Sequence, residues 1–181
     1  MEFDKYKIHG DYHWKIYKDK SDVYANHADK VAKWVGGGIT LDVGAGDGLI
    51  TSLIPKAIGI DDNEIAVSLA TGHGVNVKLI SIYDIGAIYY SYFDNVLMAD
   101  TIEHFEYPDK AIKKALLALK PNGTLYITTP PAISNGTLHD KYHYREYTPK
   151  QLIDFIEPFG FKLAEPIEIK YHRIYAKFNR I

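Results

Sequence analysis

Ile39-Thr40-Leu41-Asp42-Val43-Gly44-Ala45-Gly46-Asp47-Gly48-Leu49-Ile50-Thr51 is the stretch on which the reading of this chain turns. A short apolar alternation, Ile39, Leu41 and Val43, meets three glycines at Gly44, Gly46 and Gly48, and an apolar segment resumes at once. That order predicts a strand, a tight turn and a helix start. Glycine suits such a turn because it takes positive φ at little cost and lets a ligand approach the backbone without meeting a Cβ. The helix that follows points unpaired N–H groups at whatever lies on the loop. A dinucleotide-binding turn would need glycine at position 49, and Leu49 stands there instead. The pattern present is D-x-G-x-G-x-G, running from Asp42 through Gly44, Ala45 and Gly46 to Gly48.

Outward from that turn, strand and helix patterns alternate. Upstream, Ser21 reads as the N-cap of an amphipathic helix that carries Val23, Ala28, Val31 and Val35 and ends at Gly36-Gly37-Gly38. Residues 1–20 show no clean periodicity but hold His9, Tyr12, His13, Trp14 and Tyr17 among lysines. They read either as an arm that packs its rings on the domain, or as a flap offering Tyr12, His13 and Trp14 to a ligand or substrate. Downstream come a helix over 49–54, a strand over 57–60 ending in Asp61-Asp62, a helix over 64–71 and a strand over 75–80 followed by Ser81-Ile82-Tyr83-Asp84. A strand over 93–98 leads into a loop over 99–107 rich in acids and histidine, then a helix over 108–120 and, after Pro121-Asn122-Gly123, a strand over 124–129. A polar, aromatic loop over 130–147 holds His139, His143, Arg145 and Glu146. Thr148-Pro149 then caps a helix over 150–159, and two alternating strands over 161–170 and 172–180 close the chain.

Length and composition narrow the function classes. At 181 residues the chain makes one domain with a full three-layer core, divided into an N-terminal arm and helix (1–38) and a core (39–181). Hydrophobic content of 46% and charged content of 24% are those of a soluble globular protein. A formal net charge of -2 argues against a nucleic-acid partner, whose phosphates call for clustered cations. Cysteine is absent, which excludes disulfides, thiolate metal sites and cysteine nucleophiles. No run reaches membrane-span length and residues 1–10 lack a signal-peptide core, so the expected location is cytoplasmic. Nothing in the sequence sets the number of copies in an assembly.

The glycine turn resembles motif I of the class I S-adenosylmethionine-dependent methyltransferases. Residues 93–130, with Asp94-Asn95-Val96, Glu103-His104, Leu119-Lys120-Pro121-Asn122-Gly123 and Thr129-Pro130, resemble the ubiquinone-pathway O-methyltransferases and the small sugar-modifying enzymes around them. Together these features cover nearly all of residues 39–160. The resemblance implies a Rossmann-like, seven-stranded, mostly parallel α/β sheet with helices on both faces and a C-terminal antiparallel strand pair. It implies S-adenosyl-L-methionine as cofactor. The loop Asp42, Gly44, Ala45, Gly46 and Gly48 would lie along its methionine part, Asp61 with neighbouring Asp62 would take the ribose hydroxyls, and Asp84 with Ile82 would hold the adenine.

Asp100, Glu103 and His104 are spaced i, i+3, i+4, so one helical turn would place all three on one face. Two hard oxygens and an imidazole suit Mg²⁺, Mn²⁺ or Zn²⁺, with His143 or His139 as a later ligand. The resembling family carries glutamate where this chain has Asp100, which is also expected to contact the cofactor. Three readings stand side by side. The set holds a metal that acidifies a substrate hydroxyl; or His104 or His143, with Glu103, is a metal-free general base; or Glu103 and His104 tie the loop together. Arg145, in His143-Tyr144-Arg145-Glu146-Tyr147-Thr148-Pro149, either clamps an anionic group of the substrate or pairs with Glu146 on the surface. The expected activity is methyl transfer to a small-molecule acceptor, at a hydroxyl of a sugar, nucleotide-sugar or phenol. Its rivals are a metal-dependent RNA 2′-O-methyltransferase and a non-catalytic cofactor-binding module.

Overall fold

The computed structural model describes residues 4–133 and 138–181, so residues 134–137 of the expected 130–147 loop lie outside the described residues. One sheet runs through the molecule in the order β3-β2-β1-β4-β5-β8-β6, with β7 paired to β8 off that path. Its strands are β1 (Thr40–Val43), β2 (Ala57–Asp61), β3 (Val77–Leu79), β4 (Phe93–Ala99), β5 (Leu119–Thr129), β6 (Phe161–Leu163), β7 (Glu168–Lys170) and β8 (Arg173–Arg180). The first five are parallel, and β8 enters antiparallel to β5, in register Ile127↔Ala176. This is the mostly parallel α/β architecture with a C-terminal antiparallel part that the resemblance implies, with eight strands among the described residues in place of the expected seven.

Burial explains the arrangement. All of β1 is buried, as expected of a central parallel strand covered on both faces. Leu41, Val43, Ile60, Val96 and Met98 meet Ile112, Ala115, Leu152 and Ile156 on one side of the sheet. On the other, Leu97 and Tyr126 meet Ala28, Val31 and Val35. The helices are α1 (Lys5–His9), α2 (Tyr12–Tyr17), α3 (Val23–Trp34), α4 (Leu49–Leu53), α5 (Glu64–Gly72), α6 (Pro108–Ala118) and α7 (Pro149–Ile156). None of the described helices is long and apolar enough to cross a membrane.

Several boundaries differ from the sequence pattern, each for a local reason. The N-cap of α3 is Asp22, whose carboxylate accepts from the Tyr24 N–H at 2.7 Å, in place of Ser21. Helix α6 ends at Ala118 and β5 starts at Leu119, because Phe93 pairs with Leu119 before Asn122 takes a left-handed φ and the register jumps to Asn95↔Thr124. The pattern over 161–170 splits into β6 and β7, which pair with different parts of β8. The aperiodic arm forms α1 and α2, held by contacts across the chain.

Strand β1 sends the chain toward β2 and β3 on one side, whereas β4 and β5 lie on the other. In such sheets the crevice opens beyond the carboxyl ends of the strands at the reversal point. Here that is the end carrying Gly44, Asp61 and Asp100.

Candidate active site

A cleft of about 1020 Å³ opens at that end. Its walls come from the turn after β1 (Val43, Gly44), the end of β2 (Ile60, Asp61, Asp62, Asn63) and the segment after β3 (Ile80, Ser81, Ile82, Tyr83). The loop after β4 supplies Asp100, Thr101, Glu103 and His104; the arm and α3 supply Tyr6, Tyr12, His13 and Tyr24; and the loop after β5 supplies His139, Asp140, His143 and Tyr144.

The glycine turn does two jobs. Gly44, Gly46 and Gly48 all take positive φ, at 70°, 57° and 80°. A Cβ on Gly48 would sit 3.0 Å from the Ala70 Cβ, so that glycine serves packing against α5 and does not face the cleft. A Cβ on Gly44 would meet the Thr101 side chain at 2.5 Å, and one on Gly46 would overlap the Tyr6 phenol. Asp42 lies beneath the turn, outside the cleft lining. Its carboxylate accepts from the Thr51 hydroxyl at 2.6 Å, and burial raises its pKa to about 7. Ala45 donates its N–H to the Ile60 carbonyl at 3.0 Å, locking the turn to β2.

Asp61 stands where a ribose ligand is expected. One carboxylate oxygen accepts from the Gly46 N–H at 2.8 Å and the other from the Asn63 N–H at 2.9 Å. Burial lifts its pKa to about 6, with those two hydrogen bonds acting in the opposite direction. Asp62 lines the cleft beside it, and Asn63 caps α5. Ile82 is buried and lines the cleft, whereas Asp84 is exposed and lies outside the lining. The short 3₁₀ turn Ile82–Asp84 rotates Asp84 outward and leaves Ser81 at the wall.

The loop after β4 corrects the one-face expectation. Asp100 takes φ 51° at the strand end, and the helical turn spans only Ile102–His104. Asp100 therefore lies outside the cluster that Glu103 and His104 form with His143. It accepts from the Thr128 hydroxyl at 3.0 Å and from Arg173 Nε, with His27 Nε2 at 3.8 Å. Burial works against its charge, but His27 and the Arg173 guanidinium outweigh burial and hold the carboxyl below the usual range.

Glu103, His104 and His143 do converge, with one candidate ligand atom from each lying within 4.8 Å of the others. Glu103 is 1% exposed, accepts from the Thr129 hydroxyl at 2.9 Å, and is pushed up to about 8 by burial and by Asp100. The His104 and His143 rings lie edge to face at 4.8 Å. His104 Nδ1 is 3.1 Å from the Tyr142 carbonyl, and burial lowers its pKa. A carbonyl can only accept, so Nδ1 carries the proton and Nε2 keeps a lone pair. His143 Nδ1 lies 2.5 Å from Glu146 and His139 Nδ1 lies 2.7 Å from the same carboxylate. Burial opposes the charge of Glu146, but its bonds to the two histidines prevail and keep it below the ordinary glutamate range.

The arm closes over this cleft. Tyr12 and His13 line it, and His13 is bound to Asp47 through its backbone N–H (3.2 Å) and its ring (3.1 Å). Trp14 stays outside the lining. Its Nε1 donates to the Asp47 carbonyl at 2.8 Å while its ring stacks on His73 at 4.0 Å, so it pins α2 to the glycine turn. Arg145 is exposed and also outside the lining, and Glu146 turns to the histidines instead of pairing with it. Lys5 meets Asp140 at 2.5 Å and Tyr142 donates to Asp4, which joins the arm to the loop after β5. Residues absent from the motif reading, namely Tyr6, Tyr24, Asp140 and Arg173, enter the site only through this folding together. The aromatic density of the arm was the one sequence signal for any of them.

The cleft fits an adenosyl cofactor: a side-chain-free turn, an acid at the end of β2 and an apolar Ile82 wall lie along one face. A family model described as "Methyltransferase domain" matches residues 41–127. The ubiquinone biosynthesis O-methyltransferase of Coxiella burnetii is 24% identical over 163 aligned residues, covering 77% of this chain and 70% of the relative. Among solved structures, a possible histamine N-methyltransferase from Thermotoga maritima superposes with a TM-score of 0.78 at 18% identity, covering 99% of this chain and 98% of the other. Magnesium protoporphyrin IX methyltransferase from Synechocystis PCC 6803, solved with bound SAH, superposes with a TM-score of 0.73 at 18% identity, covering 98% and 97%. At these identities the structural likenesses are likenesses of fold.

Proposed function

We propose that this chain, a class I S-adenosylmethionine-dependent methyltransferase, methylates a hydroxyl of a small phenolic acceptor, with His143 as the base. The observation that carries the reading is the His143–Glu146 contact beside His104 and Glu103, with His143 lining the same cleft as Gly44. When bound, the cofactor supplies a methyl group on a sulfonium, an electrophile with a good leaving group. The chain has to align an oxygen with that methyl and remove its proton.

A phenol releases its proton near pH 10 in water, so a histidine poised beside it lowers the barrier at neutral pH. Glu146 holds the proton on His143 Nδ1 and leaves Nε2 to accept. Tyr12, Tyr24, Phe105, Tyr107 and Tyr144 give the cleft flat apolar surfaces that suit a ring better than a sugar. The lining also carries Asp61, Asp62, Asp100, Glu103, Glu106 and Asp140 against Lys5, Lys110 and Arg173, a balance that disfavours RNA phosphates. The relatives named as O-methyltransferases support an oxygen acceptor.

A second reading rests on the convergence of Glu103, His104 and His143, which could hold Mg²⁺, Mn²⁺ or Zn²⁺. Burial favours a protonated Glu103, which is a poor ligand until a cation displaces its proton, so the base takes precedence. The test is transfer of labelled methyl to a panel of catechols, phenols, sugars and nucleotide sugars, with and without EDTA. The base reading expects an O-methylated phenol, insensitivity to EDTA, and loss of turnover in His143→Asn. Loss with EDTA and recovery with Mn²⁺ would replace the base by the metal. Methylation at nitrogen would overturn the hydroxyl assignment.

A further inference from the structure

Asp100 and Arg173 form an ion pair that opens on the cleft, with side chains 22% and 19% exposed. Arg173 Nε donates to Asp100 Oδ2, and Nη1 donates to the Tyr171 carbonyl at 2.9 Å. Among the described residues, Nη2 has no hydrogen-bond partner. The Tyr24 ring lies 5.9 Å from the guanidinium, and Asp100 is fixed from behind by Thr128 and His27. Thr101, next in the chain, abuts the Cα of Gly44. A carboxylate and a guanidinium thus sit side by side at the glycine-turn end of the cleft, on the far side of the turn from Asp61.

The cofactor has two chemically different ends. Its adenosyl part needs an acceptor for ribose hydroxyls and an apolar wall, which Asp61 and Ile82 offer. Its amino-acid end carries an ammonium and a carboxylate on one carbon. A site for that end needs an anion and a cation a few ångströms apart, and the other lining cations are placed elsewhere: Lys5 on Asp140 and Lys110 over the Tyr107 ring. We propose that Asp100 and Arg173 together recognise the amino-acid end of the cofactor, Arg173 taking the α-carboxylate through Nη2 and Asp100 the α-ammonium. Pre-pairing keeps both charges compensated before the cofactor arrives, and a guanidinium can hold two carboxylates at once through its separate N–H edges. This assignment does not depend on the acceptor or on how its proton is removed.

Calorimetry with three ligands tests it: S-adenosylhomocysteine, its decarboxylated analogue, and 5′-methylthioadenosine, which lacks the whole amino-acid end. Arg173→Gln should weaken S-adenosylhomocysteine by about 10- to 100-fold, as for a charge-assisted bond, and leave the other two within about 2-fold. Asp100→Asn should weaken both ammonium-bearing ligands and spare methylthioadenosine. Unchanged methylthioadenosine binding also shows that each variant is folded. An equal loss on all three ligands would make the pair a tie between β4 and β8, and no loss on S-adenosylhomocysteine would place the amino-acid end elsewhere. Either result overturns the proposal while leaving the hydroxyl-acceptor reading intact.

Discussion

Glu146 lies 2.5 Å from Nδ1 of His143, its side chain only 2% exposed although the residue belongs to a surface loop. A carboxylate in that position fixes the tautomer and the ring plane of the histidine it contacts. On the proposed base role of His143, Glu146 is a positioning residue, acting through His143. Glu146→Ala should lower kcat by roughly 10- to 100-fold with little change in the acceptor KM. It should also move the His143 proton from Nδ1 toward Nε2 in long-range nitrogen–proton NMR spectra. A variant with an unchanged tautomer and full kcat would reduce Glu146 to a loop tie.

Gly46 should not accept a side chain. Its φ of 57° is costly for a β-branched residue, and a Cβ there meets the Tyr6 phenol that covers the turn. Gly46→Val is expected to abolish measurable S-adenosylhomocysteine binding in calorimetry. Undiminished affinity would show that the turn does not meet the cofactor.

Asp61 has a structural duty besides its expected one, since it accepts from the backbones of Gly46 and Asn63. Asp61→Ala should therefore lower Tm by about 3 °C, the shift expected for roughly 1 kcal/mol in a protein of this size. Its ligand role needs a separate readout. Wild type should prefer methylthioadenosine to the 2′,3′-dideoxy compound by about 10-fold or more, and the variant should bind both alike. A preference that survives in the variant would remove Asp61 from the ribose site.

Asp42 makes a pH-dependent contribution whose sign is set by burial. Its folded pKa of about 7 lies above the ordinary 3.8, so the folded state keeps a proton that the unfolded chain has released. That contribution is fully present below the unfolded pKa and is lost as pH rises from about 4 to 7. His27, lowered to about 4 by burial, acts in the opposite sense over nearly the same window, so wild type alone is not diagnostic. The stability difference between wild type and Asp42→Asn should fall by roughly 2–4 kcal/mol between pH 4 and pH 7.5 in urea titrations. A difference independent of pH would mean that Asp42 is ionised in the fold.

Much of the frame is legible without coordinates, because local rules act over a few residues. Glycine at positions 44, 46 and 48 follows from φ and from contact, and the buried strands announce themselves as short apolar runs. The cap at Thr148 holds too, as a capping box with Gln151. Ser21 failed against Asp22 because both residue types cap helices and only the backbone decides which one adopts the extended φ/ψ. Asp100 failed because the i, i+3, i+4 spacing presumes a continuous helix, and a single left-handed residue breaks it.

The chain's order of residues decided the layered α/β sheet, the glycine turn and the cofactor class, all of which rest on periodicities and turn chemistry written within short windows. Only the tertiary structure decided which charges meet. His143 and Glu146 are near in sequence, but Arg173 reaches Asp100 across 73 residues and Lys5 reaches Asp140 across 135. Ionic and hydrogen-bonding partners act through space, over a few ångströms, and no spacing rule encodes them until the sheet has placed β8 beside β5 and the arm has folded back over the cleft.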